Sequence, residues 1–566
     1  MDATTRFESQ IVGSLPVLTA LLQKWGLAQI INDTIPWEGK VPLGSLIEVL
    51  LVNRVLQPRA MYGIGEWAKD AGVTDYFGLT VEQLNDDLFG RALERVAQHR
   101  DAAVAQATLA AVKEWQVDVS EFHCDISNVE FYGAFSKAVP ADNGDPGEGP
   151  SPTTWPTVPC PAYGHTKSGR DDVKQIQFGI SVSGDGAVPL TFQPLDGNTA
   201  EARTHVANLL SLRELFPKTN FLYTADTKLD TPENLTAIVA TGGEFLCGGA
   251  FTQKLQEKFR SLLCPLRKID YCPKSQERLP AAERDQYAGW EFTEKITGTF
   301  DGRNVNAKYR LIFIRSSAKA KQQADTRQRH IDKIEADFQF VRKNLGKYKL
   351  KSIAAITERL EKARGRYGEG KLFRYELKQG KGKFKLSWHM DEAELARVKA
   401  KEGVFVLKTN RPKKEWPLEK VLAKYRDQSK VEGRFHDMKG PLAVAPMFLK
   451  NPERIAGLLC VVVWAVTVLA LMERAVRKNL KGKPLVGLYP EKRACANPTA
   501  AMMLRKFATL TIVIIKEHGT IQRRLSDLKP IQRQIVTLLG LDADVLNVFR
   551  RRCTGPPKNS AQGCGM

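Results

Sequence analysis

The segment Tyr425–Lys439 carries side chains that could hold a phosphate group and a metal ion. It reads YRDQSKVEGRFHDMK, contains no proline and is followed by a Gly-Pro stop signal, so it predicts a single helix. Tyr425, Glu432 and Lys439 follow one another at intervals of seven residues, about two helical turns, and therefore share one stripe. Gln428 joins the same stripe. An aromatic ring, an amide, a carboxylate and an amine could bind phosphate and a cation. On spacing alone, an ordinary solvated helix face is the competing interpretation.

Two acids far upstream lie where predicted strands would bring them to a sheet edge. Asp125 is at the centre of the strand-like segment 116–133, and Asp226 ends the apolar segment 221–226. Mg²⁺ prefers oxygen ligands and takes only a few protein carboxylates. Two such ions activate the attacking oxygen and stabilise the leaving oxygen in phosphodiester chemistry. We therefore expect Asp125, Asp226 and Glu432 to form a metal site, although each acid taken alone is typical of a turn or a surface.

Three histidines lie near these motifs. His123 precedes Asp125 by two residues, so it shares that face of the strand and could support the acid. His436 follows Glu432 by four residues on nearly the same helix face, where it could touch DNA or metal. His165 lies in a loop and is expected to be solvated.

The composition of the chain favours a polyanionic partner. Its 566 residues carry a net charge of +21 with a pI of about 9.5, which favours nucleic acid first and an anionic membrane second. The nine cysteines include no C-x2-C pair, so neither a zinc ribbon nor a disulfide framework is indicated and a reducing cytoplasm fits. The amino-terminal segment is polar and unlike a signal peptide. The uncharged run 455–472 is interpreted as a buried core helix rather than a membrane span.

Helices are predicted to dominate residues 1–115. One starts at Pro42. Another starts at Thr80, which has the position of an N-cap, and runs to about Ala105. On a basic protein, a small helical domain of this kind could be a helix-turn-helix reader of DNA. A helical scaffold or a dimerisation domain is the alternative.

From residue 116 the predicted order is strand, hairpin, helix, strand, helix, strand, which is typical of a mixed α/β sheet. This order ends near residue 250. Segment 315–366 predicts a long charged helical stretch, and the basic residues of this insertion could line DNA or form a solvated surface. Segment 477–541 is predicted to be helical and basic. The resulting parts are 1–115, an amino-terminal helical domain that binds DNA or dimerises; 116–249, the first part of the sheet domain; 250–415, the insertion; 416–475, the end of the sheet domain with the Glu432 helix; 476–545, a basic helical carboxyl-terminal region; and 546–566, a disordered tail.

Together these motifs resemble the insertion-sequence transposases that have an Asp-Asp-Glu triad on a ribonuclease-H-like fold. The signature of one group, Tyr-x2-Arg-x3-Glu-x6-Lys, is matched by Tyr425, Glu432 and Lys439. Gln428 occupies the arginine place, as in the branch that reads Asp-Gln-Ser-Lys-Val-Glu. The segments that resemble the other motifs of the family are CDISNVEFYG around Asp125, GHTKSGR from Gly164, LDGNT from Leu195, and Thr224-Ala-Asp226. The resemblance covers most of residues 10–480.

The resemblance implies a fold and a set of site residues. The fold would be α/β, a ribonuclease-H-like mixed sheet with a large β/α insertion, an amino-terminal helical domain and a helical carboxyl-terminal region. Two Mg²⁺ ions would be bound, and Mn²⁺ could substitute. The implied site residues are Asp125, Asp226 and Glu432 for catalysis and metal binding, and Tyr425, Gln428 and Lys439 for DNA binding.

The implied activity is cut-and-paste DNA transposition. Strand cleavage at the end of the element would free a 3′-hydroxyl, which would attack a second phosphodiester; relatives can pass through a DNA hairpin. The partners would be terminal inverted repeats and target DNA, bound by a homodimer in the synaptic complex, in the bacterial cytoplasm at the nucleoid and without a membrane. Family members hold a flipped base with a tryptophan of the insertion, for which Trp290, Trp388 and Trp416 are the candidates.

Two alternatives belong to other functional classes. A catalytically inactive DNA-binding protein derived from a transposase would keep the fold and the charge but would not cut. A metal-dependent host nuclease would cut without an element. Because all three acids are present, an active transposase is the preferred hypothesis. Inverted repeats flanking the coding region would separate the transposase from the nuclease.

Overall fold

The computed structural model describes residues 6–131, 158–164, 166–262, 265–380, 383–442, 449–491, 493–517 and 520–542. Helices and strands alternate over most of this length, so the protein belongs to the mixed α/β class. The chain forms two compact units. The first, the split unit, contains Met1–Glu244 and Asp427–Met566. The second, the inserted unit, is Phe245–Arg426.

The split unit begins with one strand and a group of helices. Their bounds are β1 Arg6–Ile11, α1 Leu15–Trp25, α2 Leu27–Thr34, α3 Leu43–Leu56, α4 Ile64–Asp70, α5 Val73–Phe77, α6 Asp86–Gln98 and α7 Arg100–Trp115. Helix α3 starts directly after Pro42, as predicted. It is buried on nearly all sides because its sequence is apolar around most of the helix. Gly44 permits the close packing, since a Cβ there would lie 2.2 Å from the carbonyl oxygen of Ala28 on α2.

The helix predicted from Thr80 to about Ala105 consists of two helices, and the first begins later than expected. Thr80 and Gln83 do exchange hydrogen bonds, with the Thr80 N–H donating to Gln83 Oε1 at 2.8 Å. This pair closes a turn outside the helix, and Asn85 caps α6 instead, its Oδ1 accepting a main-chain hydrogen bond at 2.9 Å. A break at His99 separates α6 from α7. The capping-box pattern at Thr80 and Gln83 therefore belongs to the turn before α6 and not to the first turn of the helix.

A mixed sheet follows in the split unit. Its strands are β2 Glu121–Phe131, β3 Ala162–Tyr163, β4 Lys174–Ser183, β5 Pro189–Leu195 and β6 Leu222–Ala225, with the helices α8 His205–Leu215 and α9 Pro232–Ala240. Strand β4 is antiparallel to β2 on one side and to β5 and β3 on the other, whereas β6 is parallel to β2. The strands predicted within 116–133, 175–183 and 221–226 are confirmed. Because the β2–β6 pair is parallel, the carboxyl ends of these two strands point the same way.

The inserted unit contains an antiparallel set of strands, a separate hairpin and several helices. Its elements are β7 Glu244–Gly249, α10 Gln253–Arg260, β8 Arg267–Ile269, β9 Tyr287–Phe300, β10 Arg303–Ser316, α11 Ser317–Lys343, α12 Ile353–Gly365, β11 Phe373–Gly380, β12 Lys383–Met390, α13 Glu392–Lys401, β13 Val404–Thr409 and α14 Leu418–Arg426. The order β7-β13-β10-β9-β8 is antiparallel throughout. The hairpin β11–β12 packs with α11 and α12 around Phe338, forming a separate core.

The charged helical stretch predicted over 315–366 consists of two helices, α11 and α12. Residues 315 and 316 end strand β10, and a turn region between α11 and α12 divides the rest. The long hairpin β9–β10 was not predicted, although its turn carries a signal. Asp301 and Gly302 have φ values of +48° and +71°, and an Asp-Gly pair is preferred where both central turn residues need positive φ.

The chain then returns to the split unit. Its last elements are α15 Ser429–Lys439, α16 Pro452–Asn479, α17 Ala500–Arg505, β14 Thr511–Glu517, β15 Thr520–Leu525 and α18 Pro530–Leu538. The prediction that 477–541 is helical is wrong for β14 and β15, which form an antiparallel sheet with β1. The sequence of β14, TIVIIKE, is rich in β-branched residues that pack well in strands. The disordered tail predicted for 546–566 lies outside the described residues.

Helix α16 forms the centre of the core of the split unit. Among the described residues it is the one helix long and apolar enough to cross a membrane, with a mean hydropathy of 2.7 over its apolar window. That window is 94% buried, in contact with α3, α6, β5 and α15. Gly457 lets α6 approach closely, since a Cβ would lie 2.2 Å from the carbonyl oxygen of Leu93. The apolar run 455–472 is thus covered by the protein itself.

Candidate metal and phosphate site

Asp125 and Asp226 come from the two neighbouring parallel strands. The β2–β6 register pairs His123 with Thr224, so the two acids, each two residues further along, occupy equivalent positions. Asp125 is half-buried and accepts a hydrogen bond from the next main-chain N–H at 2.8 Å. Asp226 ends β6 and caps the turn that follows, accepting from the N–H two residues on at 2.8 Å. Both carboxylates are therefore fixed by main-chain donors at the same end of the sheet.

Helix α15 carries the third predicted acid. Its buried residues Val431, Phe435 and Met438 face β2 and β4, and the Phe435 ring meets the Phe178 ring edge-on at 5.5 Å between centroids. Glu432 directly follows Val431 and lies on the exposed side of the helix. The three acids thus come from β2, β6 and α15 of one unit.

The acids are close enough to influence the protonation of Asp125. Burial, the largest cause, raises the pKa of Asp125 to about 6, and the charges of Asp226 and Glu432 add to this rise. The Lys167 ammonium and the main-chain hydrogen bond at Ile126 counteract part of it. A half-buried carboxylate among like charges is stabilised by a proton or by a bound cation.

A fourth acid, Glu201, belongs to the same group. It lies in the short 3₁₀ turn before α8. Burial raises its pKa to about 7, and the charges of Asp226 and Asp125 contribute to the rise, whereas Lys167 and Lys228 lower it. The sequence analysis did not include Glu201 in the site. The available signal was its position two residues after the Gly-Asn-Thr turn.

Two lysines bring positive charge next to these carboxylates. Lys439, in the last turn of α15, is half-buried, and its Nζ lies 3.5 Å from Asn128 Oδ1. Burial and the Lys167 charge lower the pKa of Lys439, whereas Glu130 and Asp125 raise it. Lys167 Nζ donates to the main-chain carbonyl of the residue after Asp125. Lys439 was predicted at the site from its spacing, whereas Lys167 was noted only as part of the GHTKSGR segment.

A chain of amides orients the partner of Lys439. Asn128 Nδ2 donates to Gln175 Oε1 at 2.7 Å, and Gln175 Nε2 donates to the carbonyl of Gly197 at 2.7 Å. Gly197 is needed here, because a Cβ would lie 1.9 Å from the main-chain oxygen of Gln175. The glycine of the LDGNT segment therefore allows the turn to lie against β4 and hold Asn128 in place.

Gln428 joins the start of α15 to β2. Its side chain is buried, with Nε2 donating to the Cys124 carbonyl at 2.8 Å and Oε1 lying 3.3 Å from His123 Nδ1. Both polar atoms make contacts inside the protein, so Gln428 positions α15. His123 is fully buried, and its Nδ1 contacts Gln428 from β2, whereas the support predicted for it was to Asp125.

The single helix predicted over Tyr425–Lys439 is interrupted. Helix α14 ends at Arg426 and α15 begins at Ser429, with a turn between them. No proline or glycine marks the break, which coincides with the hydrogen bonds of Gln428 to β2. Tyr425 therefore lies in α14 of the inserted unit, whereas the other stripe residues lie in the split unit.

The remaining predicted residues have ordinary surroundings. His436 is exposed on α15. Trp416 is buried, Trp388 packs against the core around Phe338, and Trp290 is half-buried on β9. His165 lies outside the described residues. These surroundings do not distinguish one tryptophan as a holder of a flipped base.

The spacing of possible metal ligands separates two groups. Among the described residues, one set of three histidine or carboxylate ligand atoms lies within 4.8 Å of one another, namely Glu121, His123 and Asp427. The predicted triad is not part of this set, so its oxygens are spaced more widely. The triad and Glu201 offer only oxygen atoms, the donors that Mg²⁺ prefers.

One region of the chain matches a known protein family. The profile of a family described as "Domain of unknown function (DUF4277)" matches residues 7–108, which hold most of β1, all of α1–α6 and the first half of α7. Among curated proteins, none matches the chain. The match includes none of β2, β6 and α15, the elements that carry the three acids.

Proposed function

We propose that this protein is an Asp-Asp-Glu transposase, which cuts and joins DNA at the ends of an insertion sequence. The observation that carries the proposal is the β2–β6 register. It gives Asp125 and Asp226 equivalent positions on adjacent parallel strands. Glu432 on α15 is close enough to raise the pKa of Asp125. Three acids from separate parts of the chain thus act on one another in one unit, in the order that the family signature requires.

The strand arrangement supports a ribonuclease-H-like assignment for the split unit. In such a sheet, three antiparallel strands precede a helical crossover to a fourth strand that is parallel to the first. Here β2, β4 and β5 are antiparallel neighbours, and α8 leads to β6, which is parallel to β2. The inserted unit interrupts the chain between α9 and α15, as the insertion of the resembled family does.

The donor set fits the metal of the resembled family. The raised pKa values of Asp125 and Glu201 reflect an excess of buried negative charge, which a divalent cation would compensate. Asp125, Asp226 and Glu432 would hold the ions, with Glu201 beside them. Two Mg²⁺ ions, or Mn²⁺ in their place, would supply the Lewis acidity for cleavage and strand transfer.

The two lysines are suited to hold the phosphate of the reacting strand. Lys167 and Lys439 repel each other, and this repulsion contributes to the lowered pKa of Lys439. A phosphate between or beside them would relieve the repulsion, and a compact ammonium serves as a point charge for it. Asn128 orients Lys439 toward the site. The net charge of +21 would attract the rest of the DNA.

Cleavage of labelled DNA that carries the sequences flanking the coding region tests the proposal. We expect the wild-type protein to cut at the element ends in Mg²⁺. Asp125→Asn, Asp226→Asn and Glu432→Gln should each lower the cleavage rate at least about 100-fold and leave DNA binding intact. Asp87→Asn is the matched control, because this exposed acid on α6 pairs only with Arg91 one turn away. It should cut at the wild-type rate.

Each other outcome contradicts a defined part of the proposal. Binding without cutting in either Mg²⁺ or Mn²⁺ would make the protein an inactive derivative. Equal cutting of DNA with and without element ends would favour a host nuclease. A triad variant that cuts normally would remove that residue from the site.

A further inference from the structure

We propose a second metal site in the split unit, formed by Glu121 and His123 of β2 and Asp427 in the turn before α15, which takes a transition-metal ion of the Zn²⁺ class. Their ligand atoms lie within 4.8 Å of one another, and His123 Nε2 is 3.0 Å from Glu121 Oε1. The site goes beyond the proposed function, since none of the three is a triad residue.

The hydrogen bonds of Gln428 determine which nitrogen of His123 faces the cluster. Gln428 Nε2 donates to the Cys124 carbonyl, so Oε1 is the amide atom that faces His123. An oxygen can only accept, and therefore His123 Nδ1 carries a proton. Its Nε2 then lies 3.0 Å from Glu121 Oε1, on the side of the ring that faces the cluster. One metal ion would bind both of these atoms.

The surroundings are those of a ligating histidine and a ligating carboxylate. Histidines that bind metals usually donate their other N–H to an oxygen, which fixes the ring and the tautomer. Gln428 supplies that oxygen for His123. Lys430 orients the Asp427 carboxylate, since its Nζ lies 2.9 Å from Asp427 Oδ2 and 2.9 Å from the Gly184 carbonyl. The second oxygen of Asp427 leaves this carboxylate able to act as a ligand.

A proton on Nε2 is the alternative to a metal ion. Such a proton would join His123 to Glu121 alone, whereas a metal ion binds both carboxylates and the ring nitrogen together. An imidazole nitrogen among the ligands favours Zn²⁺ and similar ions over Mg²⁺.

The ion would join two segments that are distant in the sequence. Glu121 and His123 precede Asp125 on β2, and Asp427 precedes Glu432 on α15. A bound ion would therefore fix the start of α15 to the strand that carries the first triad acid. Its role would be to position Glu432.

Metal content of the full-length protein tests the inference. The protein is incubated with excess ZnCl₂, desalted in millimolar Mg²⁺ to clear the triad, and analysed for zinc by mass spectrometry. We expect one zinc per chain in the wild type, and at least about tenfold less in His123→Ala and in Asp427→Asn. His436→Ala and Asp437→Asn change the same residue types elsewhere on α15 and should retain the zinc.

Further variants separate this inference from the proposed function. The variant Asp125→Asn/Asp226→Asn/Glu432→Gln should lose cleavage and still retain zinc, so either idea can fail alone. If His123→Ala does not fold, Asp427→Asn decides, because its side chain is 34% exposed. Zinc should raise the Tm of the wild type and not that of Asp427→Asn. Absence of retained zinc in the wild type, or equal zinc in Asp427→Asn, would overturn the proposal and leave a His123–Glu121 ion pair.

Discussion

In the split unit, Asp125 and Glu201 face other carboxylates, whereas in the inserted unit Asp285 and Glu291 face hydrogen-bond donors and cations. Burial acts on all four and would by itself raise each pKa. In the split unit the neighbouring acids add to that rise. In the inserted unit the neighbours reverse it.

Hydrogen bonds and ion pairs explain why the pKa values of the two acids in the inserted unit are lowered despite burial. The pKa of Asp285 is lowered overall, because its oxygens accept hydrogen bonds from Ser316 and Ser317 side chains and the Ala318 N–H. For Glu291, burial is opposed by hydrogen bonds and charges of its cationic neighbours, and the net pKa is lowered. We call acids of this kind matched acids, because donors and cations within the fold compensate their charge. Matched acids stabilise the fold.

The difference between the two pairs of acids indicates which of them would bind a cation from solution. A matched acid contributes to stability and needs nothing else. Acids that face one another reduce stability until a cation binds, so they are expected where a cation is used. The comparison thus contrasts acids that stabilise the fold with acids that the proposed function would use.

Neutralisation of the Asp125 carboxylate should change cleavage activity more than any other substitution proposed, and it should not lower stability. Asp125→Asn is expected to lower Mg²⁺-dependent cleavage at least about 100-fold, since a ligand charge is lost. In EDTA at pH 8 its Tm should equal or exceed that of the wild type, because burial and like charges disfavour the ionised acid. Cleavage assays and thermal melts measure the two. A clear fall in Tm would show that Asp125 is a matched, structural acid.

Glu48 tests whether burial alone makes an acid unfavourable. Burial raises its pKa to about 7, above the ordinary value near 4.5. Folding therefore takes up a proton between these pH values, and stability falls as pH rises from about 4.5 to about 7. Glu48→Gln should be more stable than the wild type at pH 8 by up to about 3 kcal/mol, with little difference at pH 4.5. Urea unfolding at both pH values measures this, with the exposed Glu38→Gln as control.

Removal of a matched acid should lower the free energy of unfolding, whereas Glu48→Gln should raise it. Asp285→Ala removes the acceptor of two serine hydroxyls and of an N–H at the start of α11. We expect the free energy of unfolding to fall by about 2 kcal/mol. Asp325→Ala, an exposed acid on the same helix, should change it little. Equal unfolding curves for the two variants would contradict the comparison between the units.

Glu201 should affect the metal requirement more than stability. Glu201→Gln removes one charge from the group around Asp226, so we expect about a tenfold higher Mg²⁺ concentration for half-maximal cleavage. Glu214→Gln, an exposed acid on α8, is the control. A Mg²⁺ titration of the cleavage rate distinguishes them. An unchanged midpoint would exclude Glu201 from the metal environment.

The smallest effect concerns cations that face each other in the inserted unit. Lys378 and Lys385 are directly opposite on β11 and β12, and Lys295 and Lys308 on β9 and β10. Opposed like charges destabilise a sheet, so such pairs favour a polyanion as partner. Lys385→Glu should stabilise the protein by up to about 1 kcal/mol and weaken DNA binding with a shallower salt dependence. Lys347→Glu makes the same charge change in a turn and should leave stability unchanged. If Lys347→Glu weakened DNA binding more than Lys385→Glu, DNA contact by the β11–β12 hairpin would be rejected.

Local patterns in the sequence located the strands and the three acids. Alternation of apolar residues identified β4, a strand-like segment with Asp125 at its centre identified β2, and a short apolar run ending in an acid identified β6. Helix spacing identified Glu432 and Lys439. These signals are local, because each element buries one face in a regular period.

The parts that were not predicted depend on contacts between distant segments. The break before α15 coincides with the hydrogen bonds of Gln428 to β2, and nothing within the helix sequence requires it. Lys167 and Glu201 lie in loops, and only the folded sheet brings them to Asp125. The β9–β10 hairpin is different, since its Asp-Gly turn was readable and was overlooked.

The interruption of the split unit by the inserted unit has a consequence for biosynthesis. Strands β2 and β6 leave the ribosome long before α15 and the apolar helix α16, while the inserted unit is continuous in sequence. Long-range pairing of this kind delays folding until the distant segment is available. A nascent or truncated chain that ends before residue 427 carries two of the three acids and the whole inserted unit. Translation itself therefore withholds the proposed cleavage site until most of the protein has been made.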